Sequence, residues 1–230
     1  MNIADNVQRI RDGICQAAQQ VGRDPSSIQL VAATKTIGVA QLHEAYEAGI
    51  RIFGENRLQE AQGKMSNIGV RKDLSWHFIG RMQRRKLKEI VGKFSLLHSV
   101  ESLDQARGIN AIAEKLGIHQ DILLEINVAG EESKGGFPCS DISEIIEQIG
   151  KFPHLAIRGL MTLPPYSENP EGARPFFSEL RELRDSLAQK PLENGEIKEL
   201  SMGMSHDHRV AIQEGATMVR IGTALFGARG

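Results

Sequence analysis

Residues 200–230 read LSMGMSHDHRVAIQEGATMVRIGTALFGARG. An apolar run ends in Ser201-Met202-Gly203-Met204-Ser205, a short helical pattern follows, and a second run from Thr217 ends in Arg220-Ile221-Gly222-Thr223. Strand, helix and strand in so few residues is the repeating unit of a parallel sheet. Both strand ends carry hydroxyls and glycines, and one carries an arginine. Side chains that small leave backbone N–H groups open to a phosphate, and the turns that follow add helix N-termini, which favour an anion. Two readings of these residues stand at this point: a phosphate cradle, or the turns of a barrel rim.

Working outward, the same alternation fills the chain. Ile3, Val7, Ile10, Ile14, Ala17, Ala18 and Val21 recur at steps of three and four, which predicts a helix ahead of the main fold, closed by Gly22 and Pro25. Residues 28–35 form a compact apolar strand with Lys35 at its C-terminal end. Strands are expected at 50–54, 76–80, 95–100, 121–128, 154–163, 197–202 and 217–221. Helices are expected between them at 39–48, 59–65, 82–92, 102–116, 142–149 and 171–188, with Ser102 as an N-cap and Asp141 and Glu144 at capping-box spacing. Eight strands, apolar on both faces and separated by helices, predict a single-domain (β/α)8 barrel over residues 1–230 with an extra N-terminal helix. A doubly wound open sheet is the rival, but no GxGxxG follows the first strand.

The totals agree with a chain of this kind. A formal net charge of −1 gives no global field for nucleic acid or anionic lipid. Cys15 and Cys139 lie far apart without metal-ligand spacing, as in reduced, packed thiols. The N-terminus lacks the apolar core of a signal peptide and no run approaches the ~18 apolar residues of a membrane span, so a cytoplasmic location is expected. The basic run Arg81 to Lys88 lacks interleaved aromatics and reads as a solvated helix face. His206 and His208, at i and i+2 on a turn, read as a helix start and not a metal site.

In a barrel of this type the chemistry sits at the C-terminal strand ends. Those ends gather Lys35, Asn56, His77 to Gly80, Ser99, Asn127, Thr162, Ser201 to Ser205, and Arg220 to Thr223. A partly desolvated lysine amine is a nucleophile toward carbonyl groups, so Lys35 is either a Schiff-base former or a lysine snorkelling from the rim. Paired with a phosphate cradle it implies a ligand bearing both a carbonyl and a phosphate. Pyridoxal phosphate and an aldolase's sugar phosphate both satisfy that description.

Eight motifs narrow the choice: LVAATK at 30–35, FGENRLQE at 53–60, WHFIG at 76–80, HSV at 98–100, ESKGGF at 132–137, IRGLMT at 157–162, LSMGMS at 200–205 and VRIGTALFG at 219–227. In this order they resemble the pyridoxal-phosphate homeostasis proteins over essentially the whole chain. The resemblance implies a barrel like the N-terminal domain of alanine racemase, with pyridoxal 5'-phosphate held as a Schiff base on Lys35. It implies that Ser201, Ser205, Gly222 and Thr223 hold the phosphate, that Arg220 faces the pyridine nitrogen, and that Asn56 lies beside the ring while Met202 and Gly203 line the pocket. Lys134 matches the family's second lysine, associated with cofactor exchange. One departure is visible: Arg85 stands where many relatives have asparagine.

An arginine at the pyridine nitrogen stays protonated and donates, which disfavours a proton on that nitrogen and weakens the ring as an electron sink. The chain's tyrosines are Tyr46, on a helix, and Tyr166, on the proline-rich loop after the sixth strand. With no separate β-domain to bring in a second acid/base, the expectation is a monomeric cofactor carrier serving vitamin B6 homeostasis, with apo-enzymes as partners. Amino-acid racemisation is the alternative.

Overall fold

A strand that is apolar on both faces has to lie between a packed interior and a covering helix. The structure, a computed structural model, describes residues 2–131 and 134–227 and places the runs in that setting. Eight parallel strands close a barrel in sequence order: β1 Gln29–Ala33, β2 Ile52–Glu55, β3 Ser75–Phe78, β4 Leu96–Val100, β5 Gln120–Glu125, β6 Leu155–Met161, β7 Gly195–Ser201 and β8 Met218–Ile221. Val31 of β1 aligns with Arg220 of β8 to complete the ring.

Helices cover the outside: α1 Ile3–Gln20, α2 Val39–Glu47, α3 Leu58–Ile68, α4 Leu87–Ile90, α5 Leu103–Leu116, α6 Ile142–Ile149, α7 Arg174–Leu187, α8 His208–Gln213 and α9 Thr223–Phe226. The extra helix α1 buries Ile3, Val7, Ile10, Ile14, Ala17 and Ala18 against α8 and α9. Asn6 Nδ2 donates to Leu225 O at 2.8 Å and pins it there. Inside the barrel Val31, Leu96, Leu123, Met161 and Met218 form an apolar plug, distinct from the larger layer between strands and helices. β6 and β7 approach closely at Gly159, where an added Cβ would lie 2.0 Å from Glu199 O.

Two local expectations need correction. The predicted helix over 82–92 is a 3-10 turn at Arg84–Lys86 followed by the single turn of α4. Gln105 Nε2 donates to Met82 O at 2.7 Å and holds the chain extended there, so the helix starts late. The capping box at Asp141 does not form. Asp141 sits in a helical conformation at the end of a 3-10 turn, its carboxylate taken by the Ser140 hydroxyl and not by a helix N–H. Ser102 does cap α5, accepting from Gln105 N at 3.2 Å.

Candidate functional site

The C-terminal ends of β1, β2, β3 and β8 open onto a depression of about 370 Å³. Lys35, Asn56, Ser205, Arg220, Gly222 and Thr223 line it, together with Met204 and Tyr166. The alternation of strand and loop explains this convergence: each strand delivers one or two residues past its end, and barrel closure brings β1 beside β8.

Lys35 stands two residues beyond β1, half-buried, in a turn whose next residue, Thr36, has φ +64. Among the described residues its ammonium makes no hydrogen bond or ion pair. No described group of the protein occupies it in place of a ligand. Asn56 follows the buried end of β2, and its Oδ1 is buried with no partner among the described residues. An amide acceptor left unpaired in the wall of a depression calls for a donor on a bound group.

Arg220 points inward from β8 and is 5% exposed. It donates from Nη1 to Ser201 O at 2.7 Å and Ser201 Oγ at 2.6 Å, and from Nη2 to Thr162 O at 2.9 Å. Burial brings its pKa down to about 10, with Glu125 and Asp207 opposing, so it remains charged at neutral pH. Nε–H and one Nη2 hydrogen have no protein acceptor among the described residues, and Arg220 is among the residues that border the depression. They remain available to an acceptor on a ligand.

Behind Arg220 lies a buried chain of polar side chains that no motif or spacing announces. His98 Nδ1 meets Ser201 Oγ at 2.9 Å, and His98 Nε2 meets His77 Nδ1 at 3.0 Å. Arginine only donates, so Ser201 accepts from Arg220 and gives its own proton to His98, which in turn donates to His77. Both imidazoles are neutral: burial lowers the pKa of His77 to about 4 and that of His98 well below the ordinary value, with His77 and Arg220 adding to the latter.

The phosphate-side residues separate into two groups. Ser205, Gly222 and Thr223 reach the depression, and Ser205 Oγ also accepts from Ala224 N at 3.1 Å. Ser201, Met202 and Gly203 do not line it: Ser201 and Met202 are wholly buried, and the Ser201 hydroxyl is occupied by Arg220 and His98. Met204 takes the place expected of Met202. Gly203 has φ +87, and a Cβ there would meet Ala211 at 2.5 Å, so its role is to let the chain turn onto α8. Asp207 Oδ1 accepts from Met204 N at 2.6 Å within that turn, and no metal-ligand cluster exists among the described residues.

Lys134 lines a neighbouring depression of about 260 Å³ with Glu101, Glu125 and Asn127, and its ammonium pairs with Glu131 at 3.2 Å. Ile79 borders both depressions. Glu132 and Ser133 of the same motif lie outside the described residues. Arg85 is exposed, with Nε donating to Gln83 at 3.0 Å, away from either depression. The basic run is partly neutralised by Arg81–Glu101 at 2.8 Å and Lys86–Glu89 at 3.0 Å. Tyr166, 82% exposed, stacks on His206 with centroids 5.7 Å apart at the edge of the Lys35 depression.

An unpaired amine, available guanidinium donors, an orphaned amide acceptor and a hydroxyl- and glycine-lined rim fit a ligand that carries an aldehyde, a ring acceptor and a phosphate. The sequence profile of the alanine racemase N-terminal domain matches residues 3–230, which defines the class of barrel. A solved alanine racemase of Clostridium difficile has the same fold, with TM-score 0.71 at 18% identity over 98% of this chain and 56% of its own. The pyridoxal phosphate homeostasis protein of Aquifex aeolicus is 45% identical over 229 residues, 100% of this chain and 99% of that one. The structure of PipY from Synechococcus elongatus with pyridoxal phosphate bound has TM-score 0.85 at 34% identity, covering 98% of this chain and all of that one. The chain belongs to the pyridoxal phosphate homeostasis protein family.

Among the described residues, no helix is long and apolar enough to cross a membrane.

Proposed function

We propose that this protein holds pyridoxal 5'-phosphate reversibly at the C-terminal rim of its barrel, through a Schiff base with Lys35, and serves cofactor homeostasis by storage and delivery to apo-enzymes without efficient turnover. The observation that carries this reading is the free Lys35 ammonium facing the same depression as the open donors of Arg220. When bound, the cofactor supplies an aldehyde that condenses with an amine, releasing one water, and a phosphate that serves as an anchor.

The protein's own groups do the rest. Ser205, with the backbone of Gly222 and Thr223, receives the phosphate. Arg220, braced by three acceptors, presents N–H donors to the ring nitrogen and resists a proton there. Asn56 Oδ1 accepts from the bound group. Lys134, across Ile79 in the adjoining depression, is the residue to which we assign a part in cofactor exchange.

A second reading, amino-acid racemisation, draws on Tyr166, which borders the Lys35 depression and carries a titratable hydroxyl. One experiment separates the two: absorbance spectra of the wild type and Lys35→Ala with added pyridoxal phosphate, followed by racemase assays with alanine and serine. Storage predicts a long-wavelength band in the wild type alone and no racemisation. Racemisation that disappears in Tyr166→Phe promotes the second reading, and a band that survives in Lys35→Ala removes Lys35 as the anchor.

A further inference from the structure

The backbone just after Lys35 is held in a conformation that its sequence does not favour. Thr36 has φ +64 and is the only non-glycine with positive φ among the described residues. For a β-branched residue that is an outlier, and such outliers persist only where the surroundings impose them. Here the surroundings are side chains from β2 and α3. Glu60 Oε2 accepts from Thr36 N at 2.9 Å. Lys64 Nζ donates to Thr34 O at 2.6 Å and to Glu55 Oε1 at 2.7 Å, and lies 3.6 Å from Glu60 Oε2. Thr34 Oγ1 also donates to Glu55 Oε1. One peptide group before Lys35 and one after it are thus gripped by a single connected set, Glu55, Lys64 and Glu60.

This set is built for more than stability. Lys64 is only 8% exposed and Glu55 is completely buried, although a helical lysine and a strand-end glutamate normally face water. A buried ion pair is a poor source of stability when apolar side chains would fit. Its distinctive effect is directional: it fixes a backbone carbonyl, Thr34 O, that a hydrocarbon could not grip. Glu60 completes it from the rim, partly open to solvent, with its carboxyl held below the usual range chiefly by the Thr36 N–H.

We propose that Glu60 and Lys64 are positioning residues for Lys35, clamping Thr36 and Thr34 so that the amine is presented to the depression in the direction an incoming aldehyde requires. The inference rests on the reading of Lys35 as the anchor. It assigns no contact between either residue and the cofactor.

The test compares two ligands on the full chain. Pyridoxal 5'-phosphate can condense with Lys35; pyridoxine 5'-phosphate has an alcohol in place of the aldehyde and cannot, while its ring and phosphate are recognised alike. Glu60→Ala removes the acceptor for Thr36 N–H, and Glu60→Gln keeps one. For Glu60→Ala the expected result is about a tenfold loss of affinity for the aldehyde with the alcohol changed by less than about twofold, as expected for one lost charge-assisted hydrogen bond acting on the covalent step alone. Glu60→Gln should retain the wild-type ratio. In the ligand-free protein the Thr36 amide should exchange with solvent at least about tenfold faster in Glu60→Ala than in the wild type or Glu60→Gln.

Equal losses for both ligands, or an unchanged ratio in Glu60→Ala, overturn the proposal, as does unaltered Thr36 exchange. If the wild type itself shows no preference for the aldehyde, the anchor role of Lys35 fails and the proposal falls with it. That outcome is distinguished from a failed clamp by the wild-type measurement alone.

Discussion

Replacing Lys64 with methionine tests the buried pair through its charge. The Glu55 side chain has no exposure, and Oε1 receives Lys64 Nζ at 2.7 Å while Oε2 has no partner among the described residues. Methionine is close to lysine in length but leaves a carboxylate in the core and removes one of the two donors to Thr34 O, the other being Ile37 N at 3.0 Å. Breaking a buried pair by removing one partner costs about 3–5 kcal/mol. That deficit should depend on pH. Burial already raises the pKa of Glu55, and Lys64 is the first of the groups that oppose it. A raised folded-state value means that this group's contribution is fully present below its unfolded value and is lost as pH rises through the folded one. Without Lys64 the folded value rises further, so the variant should approach the wild type in acid, recovering up to ~1.4 kcal/mol per pH unit over that window. The assay is urea unfolding of wild type, Lys64→Met and Glu55→Leu/Lys64→Met at pH 8 and pH 5. We expect the single variant's deficit to shrink at pH 5 and the double variant to exceed the single in stability at pH 8. A deficit independent of pH, or a double variant less stable than the single at pH 8, would refute the reasoning.

Other expectations follow from the interior and its edges. His77, with its pKa near 4 against an ordinary 6.5, contributes stability that is complete above 6.5 and lost as pH falls toward 4, about 3 kcal/mol for that one imidazole. Its ring resonances should still report a neutral imidazole at pH 5, and titration near 6.5 would contradict the buried chain. Glu55 and Glu125, raised by burial, act with the opposite sign in acid, so the ring signals are a better readout than overall stability. Gly159→Ala places a Cβ against the backbone of β7, so thermal unfolding should show a loss of at least ~3 kcal/mol or no folded barrel at all. The Cys139 thiol is pushed up to about 11 by burial and by Glu179. A disulfide reagent at pH 8 should label it about two orders of magnitude more slowly than an ordinary exposed thiol.

The barrel was legible because its strands are apolar on both faces and its helices end in glycine, two signals that tertiary context does not override. The places of Lys35, Asn56, Ser205, Gly222 and Thr223 on the rim were legible because they fall just past strand ends, where a residue of either parity can reach it, whereas Arg220 lies within β8. Residues within strands were harder. A one-residue change of register exchanges inside for outside, so the pattern around 98–100 could not say that His98 points into the barrel while the Ser99 hydroxyl turns to Gly80 O. Ser201 and Met202, at the end of β7, are buried behind the mouth, and Met204 and Ser205 hold the positions facing it.

The grip on Lys35 had no signal in the sequence at all. A lysine in a polar helix reads as solvated, and a threonine gives no hint of a left-handed backbone. Both facts emerge only when α3 packs against the end of β1.

We propose above that one lysine, Lys35, anchors the cofactor. Borohydride reduction of the protein loaded with pyridoxal 5'-phosphate, followed by peptide mass mapping, tests it most directly. A single stoichiometric adduct on the peptide that carries Lys35 is expected. Modification centred on Lys134 or scattered over surface lysines, or no adduct at all, would contradict it.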